Sequence, residues 1–488
     1  MLPVIYRTPL ANAITRSVGI RPVIAAALVG LGITGCAHYT PKPLVPERTG
    51  MTLESRSLSD PGLRVFIEKN LGHTLADWPL QTWNLDLLTL VAFYYSPELD
   101  VSRARWSAAD AAVVTAGMRP NPSLNIAPEF STNSPAGVSP WLPAISLDVP
   151  IETAGKRGHR MDEAQQLSES ARWRVVTTAW GVRRKLTGAL LDYTVVRHRE
   201  ALSKRQFDLQ AQIVRMEEGE LTAGAVAGSD VTVARIQLAK TRLDLEATRA
   251  QVAETRARSA DALGIPLRAL DGADLMFLFD PTDASALTSE EARRRALTSR
   301  SDVLGALAEY EAAQAALQLE IAKQYPDIHL GPGYQWDQGQ DKWLVGLTFE
   351  LPVFNRNQGP IAEAIARRTE AEARFVALQT QIIHEIDAAT AALKAADESS
   401  LSGDNLLAAQ RQNLEAVEGQ LEAGAVGALE VASAQIDAAN AESLAFEAIV
   451  RRQQAVRALE DAVQRPLGSE ADARAAVLQI ESTQRSPR

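Results

Sequence analysis

The sequence predicts a mainly α chain with a small β part, built as two tandem copies of one helix, β-hairpin, helix, helix unit. Three observations predict it. LTAGAVAGSDV at 221–231 returns as LEAGAVGALEV at 421–431, a constant 200 positions later. Alanine-rich stretches such as AEYEAAQAALQLEIA (308–322) favour long helices packed through small side chains, and aromatics make up only 5% of the chain. Two pairs of short segments alternate apolar with polar residues, the period of a two-faced hairpin.

The first 36 residues read as an address. Arg7, Arg16 and Arg21 lead into VIAAALVGLGI (23–33), which is too short for a stable bilayer-spanning helix and right for a signal-peptide core. The run ends in Ile33, Thr34, Gly35 and Cys36, which resemble a bacterial lipobox. Cys36 is the only cysteine, so it is the expected lipid-bearing residue and no intramolecular disulfide can form. A secretory peptide with an incidental cysteine is the alternative. Ala37 and His38 follow with no Asp, the pattern of sorting to the outer membrane. The expected divisions are a lipoprotein signal peptide at 1–35 and a lipid-anchored extended segment at 36–80, from the proline-rich YTPKPLVP (39–46) onward. A first repeat at 81–267, a second at 268–467 and a tail at 468–488 complete the chain.

Beyond the leader no apolar run approaches the ~20 residues of a membrane helix, so further lipid contact would need strands. Strands are expected at about 123–130 and 143–149, then at about 327–336 and 343–351. Leu124, Ile126, Phe130, Ile145, Leu147 and Val149 form the apolar side of the first hairpin. Ile328, Leu330, Tyr334, Trp336, Trp343, Val345, Leu347, Phe349 and Leu351 form that of the second, with aromatics near the loop as in an interfacial belt. A half-buried soluble hairpin has the same period. Four strands cannot close a membrane barrel, whose smallest size is about 8, and lipid tolerates no open edge. Membrane strands here therefore require several copies of the chain, and three would supply twelve.

The helices follow from the punctuation. Arg160 to Glu218 contains no proline, and at ~1.5 Å per residue it would run close to ~90 Å. Past the turn, Val231, Leu238, Leu245 and Val252 recur every seven residues, as do Ile236, Leu243, Ala250 and Ala257. Two offset seams give one helix neighbours on two sides, as in a ring of helices; a long hairpin buried on one side is the alternative. Ala434, Ala438, Ala441, Ala445, Ala448 and Ala455 form a small-residue seam in the second copy.

The lipobox, the duplicated unit and the L-x-A-G-A turns together resemble the TolC-like outer-membrane efflux protein family, over about Trp83 to Leu467. PIETAGKRGHR (150–160) and LPVFNRNQGPIAEA (351–364) are similar to segments of its heavy-metal, CzcC-type subgroup. The resemblance implies a homotrimer whose twelve-stranded barrel in the outer membrane continues into an α-helical tunnel across the periplasm. It also implies docking on a periplasmic adaptor and an inner-membrane RND-type pump, with passive export of substrate, heavy-metal cations foremost, and no enzyme activity. The same duct serving drugs or small organics, and a coiled-coil envelope lipoprotein, are the alternatives.

Site residues follow from the two readings together. A pore lining should be polar, and the strands offer Asn125, Glu129, Ser146, Asp148, Asp327, His329, Thr348 and Glu350, of which Glu129, Asp148, Asp327 and Glu350 are the acidic lumen candidates. The Gly224 and Gly424 turns would form the periplasmic tip, a gate or adaptor dock, with Asp230 and Glu430 at the family's acidic positions and Glu217, Glu218, Glu220, Glu418 and Glu422 around them. Such an entrance would concentrate cations, and a merely solvated helix end is the alternative reading of these acids. Where the family's best-known member has an arginine in its second turn, Val426 and Gly427 stand instead, which speaks against a salt-bridge latch of that type. Lys156, Arg157, His159 and Arg160, following a strand, suggest contact with outer-membrane lipid phosphate, with a solvated charge run as the alternative. AGKRG lacks the spacing and the Ser/Thr of a phosphate loop. The net charge of −10 without a basic run argues against nucleic acid, and the six scattered histidines suggest neither a metal site nor any cofactor besides the lipid on Cys36.

Overall fold

The computed structural model describes residues 38–135, 137–277 and 284–466, so Cys36 and the signal peptide lie outside the described residues. The chain divides into two units, the first ending at Glu54 and the second beginning at Ser55. The described part of the first holds helix α1 (Pro46–Glu54), which has no buried residue.

In the second unit, α2 (Pro61–Leu71) starts on an Asp60 cap, whose carboxylate accepts from the Gly62 N–H at 2.7 Å, and stops at the left-handed Gly72. Residues 36–80 are thus not one extended segment. Proline at a first helical position and an apolar LRVFI stripe, with Leu63 and Ile67 buried, make helix of what the sequence suggested as tether. Then follow β1 (Thr82–Trp83), α3 (Leu85–Tyr95), α4 (Pro97–Ala116), β2 (Ser123–Ile126), β3 (Glu129–Phe130), β4 (Trp141–Leu142) and β5 (Ala144–Ile151). The first repeat ends with α5 (Lys156–Thr222) and α6 (Gly228–Leu263). After β6 (Asp274–Leu275), which pairs with β1 in parallel, come α7 (Ser285–Thr288), α8 (Glu290–Ser299), α9 (Ser301–Ala322), β7 (Ile328–Asp337), β8 (Gln340–Phe349), α10 (Gln358–Glu422) and α11 (Ala428–Val463).

The long helices exceed the sequence expectation at both ends. α5 has 67 residues and α10 has 65, roughly 100 Å each at ~1.5 Å per residue. Each reverses through the same turn. Gly224 and Gly424 adopt φ of +73° and +72°, and the Ala225 and Ala425 N–H groups reach back to the Glu220 and Gln420 carbonyls at 2.9 and 2.8 Å. That is the six-to-one closure of a helix whose stop residue is left-handed, a conformation that glycine adopts without a Cβ clash.

Packing arranges the elements in three open rows. The four-stranded sheet has the order β2-β5-β7-β8, every neighbour antiparallel. Beside it the helices run α4, α5, α9, α10; further along they run α6, α5, α11, α10. The first repeat supplies one end of every row and the second repeat the other.

Burial follows these rows. Val231 and Leu245 of the first heptad seam are buried, while Ile236 and Leu243 of the second lie exposed at the row's end. The six alanines of the α11 seam are all buried, and α10 comes so near that a Cβ on Gly403 would stand 3.0 Å from the Ala445 Cα. Near the tip, Ile213, Val214, Ala234 and Ala432 join the two repeats in one cluster.

The strands differ from expectation where proline intervenes. The first hairpin keeps one register throughout, Ser123 opposite Asp148 and Phe130 opposite Trp141, yet its ladder breaks between β2 and β3. In that register Pro128 faces Pro143, and neither has an N–H to donate. The strand expected at 123–130 is therefore two short strands, and that expected at 143–149 begins at Ala144 and extends to Ile151. In the second hairpin Gln338 and Gly339 are both left-handed, which makes a tight two-residue turn, and the strand expected at 343–351 runs from Gln340 to Phe349.

Candidate functional site

Register sorts the sheet into two faces. Leu124 lies opposite Leu147, Ile126 opposite Ile145, Val149 opposite Leu330, Ile328 opposite Phe349 and Tyr334 opposite Trp343. One face is thus apolar across all four strands, and no described element covers it: Val345 is 79% exposed and Leu347 and Ile126 are also exposed. A patch of that extent marks a surface meant for an apolar medium. Aromatic pairs, Phe130 with Trp141 and Tyr334 with Trp343, sit toward the turn of each hairpin, at 5.1 and 5.2 Å between ring centres.

The opposite face carries Ser123, Asn125, Ser146, Asp148, His329 and Thr348, with Pro150, Leu344 and small residues between them. Gly331 stands directly opposite Gly346, and a hollow of about 250 Å³ opens over Asn125, Ser146, Gly333 and Leu344. His329 Nδ1 lies 3.0 and 3.1 Å from the two Asp148 oxygens, a cross-strand pair that sequence reading missed. The residues are 181 positions apart, and only the β5–β7 register brings them together.

The other acidic strand candidates are placed differently. Glu129 is exposed on β3, opposite Leu142. Glu350 is exposed just past β8. Asp327 precedes β7 and is drawn aside: its Oδ1 accepts from Lys156 Nζ at 2.7 Å and from the Thr153 N–H at 2.9 Å. It joins the two repeats at the foot of the sheet rather than presenting a free carboxylate.

That pairing also corrects the reading of the basic cluster. Lys156 is only 8% exposed. Arg157 donates to the Gly117 carbonyl at 2.7 Å, and Arg160 donates to both Glu152 oxygens and to the Ala116 and Met118 carbonyls. These cations are spent inside the chain, Arg157 and Arg160 fastening the end of α4 to the start of α5 and Lys156 tying that start to the foot of β7, and do not form a free lipid-phosphate clamp.

At the far end, Gly224 with Asp230 and Gly424 with Glu430 occupy equivalent places in the two turns. Asp230 Oδ2 accepts from the Ala227 N–H at 3.2 Å, and Glu430 Oε2 from the Gly427 N–H at 3.1 Å. Both acids therefore serve as third-position caps of α6 and α11, satisfying an N–H that the helix leaves open and sitting at the positive end of its dipole. Glu218 accepts from Arg235 at 2.6 Å. Glu217 has no such partner: its Oε2 is buried without a hydrogen bond, and burial first, then Asp230 and Glu220, raise its carboxyl above the ordinary range.

A second node that sequence reading missed stands where the second repeat closes. Arg300, 8% exposed, donates to both Asp302 oxygens, to Glu385 at 3.0 Å and to the Ala462 carbonyl at 2.6 Å, so it fastens α9, α10 and α11 together. Among the described residues no helix is long and apolar enough to cross a membrane, and no three acidic, histidine or cysteine side chains form a metal-holding group.

Comparison with known proteins gives the same outline. The family model described as outer membrane efflux protein matches residues 92–264 and 292–463. The cobalt-zinc-cadmium resistance protein CzcC of Cupriavidus metallidurans is 23% identical over 345 residues, covering 70% of this chain and 78% of that protein. The nickel and cobalt resistance protein CnrC of the same organism is 30% identical over 283 residues, 56% of this chain and 64% of that one. Among solved structures, the outer membrane protein VceC of Vibrio cholerae has a TM-score of 0.63 at 18% identity, covering 78% of this chain and 95% of that one. The CmeC outer membrane channel of Campylobacter jejuni has a TM-score of 0.64 at 14% identity, covering 92% and 98%. At these identities the structural likeness speaks for the fold.

Proposed function

The chain belongs to the outer membrane efflux protein family, and from that premise we propose that it is the outer-membrane duct of a tripartite exporter of heavy-metal cations, assembled as a homotrimer. The observation that carries the proposal is the set of open rows. A sheet with one apolar face and two edges, β2 and β8, that no described strand pairs has no stable place in lipid until those edges are paired. The strand directions alternate along the row, so β8 of one copy can pair antiparallel with β2 of the next, and three copies complete a barrel of twelve. The helix rows end on the same two sides, so one closure serves the barrel and the tunnel together. The polar face with its Asp148–His329 pairs then lines the duct, and the apolar face meets outer-membrane lipid.

In this reading the tips around Gly224 and Gly424 are the periplasmic mouth, where a periplasmic adaptor and an inner-membrane RND-type pump engage, and Cys36 bears the lipid that tethers the chain to the membrane. Cation cargo is supported by the resistance proteins' names and by the acids Glu217, Glu220, Asp230, Glu422 and Glu430 around the mouth, which attract divalent ions without holding them. The test is deletion of the coding sequence in its host. Loss of tolerance to cobalt, nickel, zinc or cadmium is expected, restored by the intact chain. Sensitivity to dyes or antibiotics with unchanged metal tolerance would point to organic cargo instead.

A further inference from the structure

Resting on the trimeric reading, we propose that the apolar patch where β8 passes into α10 is a socket for the end of α4 from a second copy of this chain, with Phe354 seated against the partner's Val114 and the partner's Met118. The segment LPVF that follows β8 holds its apolar side chains away from the chain's own core: Phe354 is 96% exposed, and Leu351 and Val353 are exposed beside it. Together with Ile361 and Ile365 of α10, Val353 and Phe354 line a cavity of about 540 Å³. Among the described residues Gln324, just past the end of α9, joins this lining from outside the β8–α10 stretch.

Strand direction identifies the occupant. β8 runs from the hairpin turn toward the helices, so its last residue, Phe349, leads directly into the patch. β2 runs the opposite way, and residues 117–122, which include Met118, lead into it from the end of α4. When β8 of one copy pairs with β2 of the next, the foot of β8 therefore lies beside the partner's α4 end. That end carries an exposed apolar pair of its own, Val114 at 68% and Met118 at 60%. α4 stands at the open end of its helix row on the β2 side and α10 at the open end on the β8 side, so the joint continues the strand seam into the helices. A phenylalanine against a methionine thioether suits such a seat, because an unbranched chain adapts to an aromatic ring.

The test uses the full chain in membranes, with Phe354→Cys and Met118→Cys placed together and treated with a short thiol-bridging reagent. Covalent dimers and trimers are expected from the double variant and from neither single one. Light scattering in detergent reports the assembly independently. A trimer that yields no bridge overturns the joint and leaves the trimer standing, whereas a monomer overturns the trimeric reading itself. A benzophenone side chain at 354 reports what the patch touches. A photo-adduct with the peptide that contains Met118 is expected, and an adduct with lipid alone overturns the proposal.

Discussion

Neutralising the two tip acids while keeping their hydrogen bonds separates charge from capping. Asp230→Asn and Glu430→Gln retain an oxygen that can accept from the Ala227 and Gly427 N–H groups, whereas alanine at both sites removes it. The acceptors are solvent-exposed, so the lower part of the capping range applies, about 0.5–1 kcal/mol each. Hydrogen exchange at the starts of α6 and α11 should then accelerate roughly 2- to 5-fold in the alanine variant and stay near wild type in the amide variant. Charge acts on both variants alike. One unit charge about 8 Å from a passing ion, screened over one Debye length, contributes roughly 0.2 kcal/mol in water. In the proposed trimer six of them around an opening of that radius would favour a monovalent cation by about 1 kcal/mol and a divalent one by about 2, or roughly 5-fold and 30-fold in local concentration. Planar-bilayer recordings at low and high salt should show the divalent preference reduced by about that factor in both variants, and less so as salt rises. Unchanged selectivity in the amide variant would refute a role for these acids in ion entry and leave them as helix caps.

Three further outcomes follow from named contacts. Arg300→Met removes the shared donor of Asp302, Glu385 and the Ala462 carbonyl; breaking a buried pair whose acids can rehydrate should cost about 2–4 kcal/mol, read as roughly 30- to 1000-fold faster exchange at the ends of α9 and α11. Asp327→Ala strands the buried Lys156 ammonium; with Asp327 itself 36% exposed, a loss of about 2 kcal/mol is expected, seen as faster heat dissociation of the detergent-solubilised assembly. Glu217 holds its proton in the folded tip at pH values where the unfolded chain has released it, so its contribution is full below the ordinary value of 4.5 and fades as pH rises through the raised folded value. Glu217→Gln should abolish that decline, making tip exchange, corrected for intrinsic rate, flat with pH above 4.5.

The repeat was legible because it is written in residues whose backbone demands are local. Leu-x-Ala-Gly-Ala stops the long helix in both repeats, and the absence of proline after Arg160 permits a helix that the structure carries to Thr222. The apolar faces of both hairpins were equally readable, since alternation alone sets a side chain's face. What escaped was pairing between distant segments. Pro128 opposite Pro143 needs the hairpin register, and Asp148 with His329 needs the order of strands across two repeats. Charge runs misled for the same reason. Lys156, Arg157 and Arg160 look free in sequence, and their partners Asp327, Gly117 and Glu152 are revealed only when α4, β5 and β7 meet at one point.

Rows that end in unlike faces have a genetic consequence. In the proposed trimer a joint between β8 with α10 and β2 with α4 is head-to-tail, so each chain would contribute one different face to each of two joints. A chain damaged on one face alone still joins through the other and occupies a place in a ring that cannot close. Co-expressed in equal amount with the intact chain, such a variant leaves only about one ring in eight wholly intact, by random mixing of three subunits. Alleles of Phe354 or Met118 should therefore be dominant, and a variant damaged only in its duct-facing residues should be diluted instead.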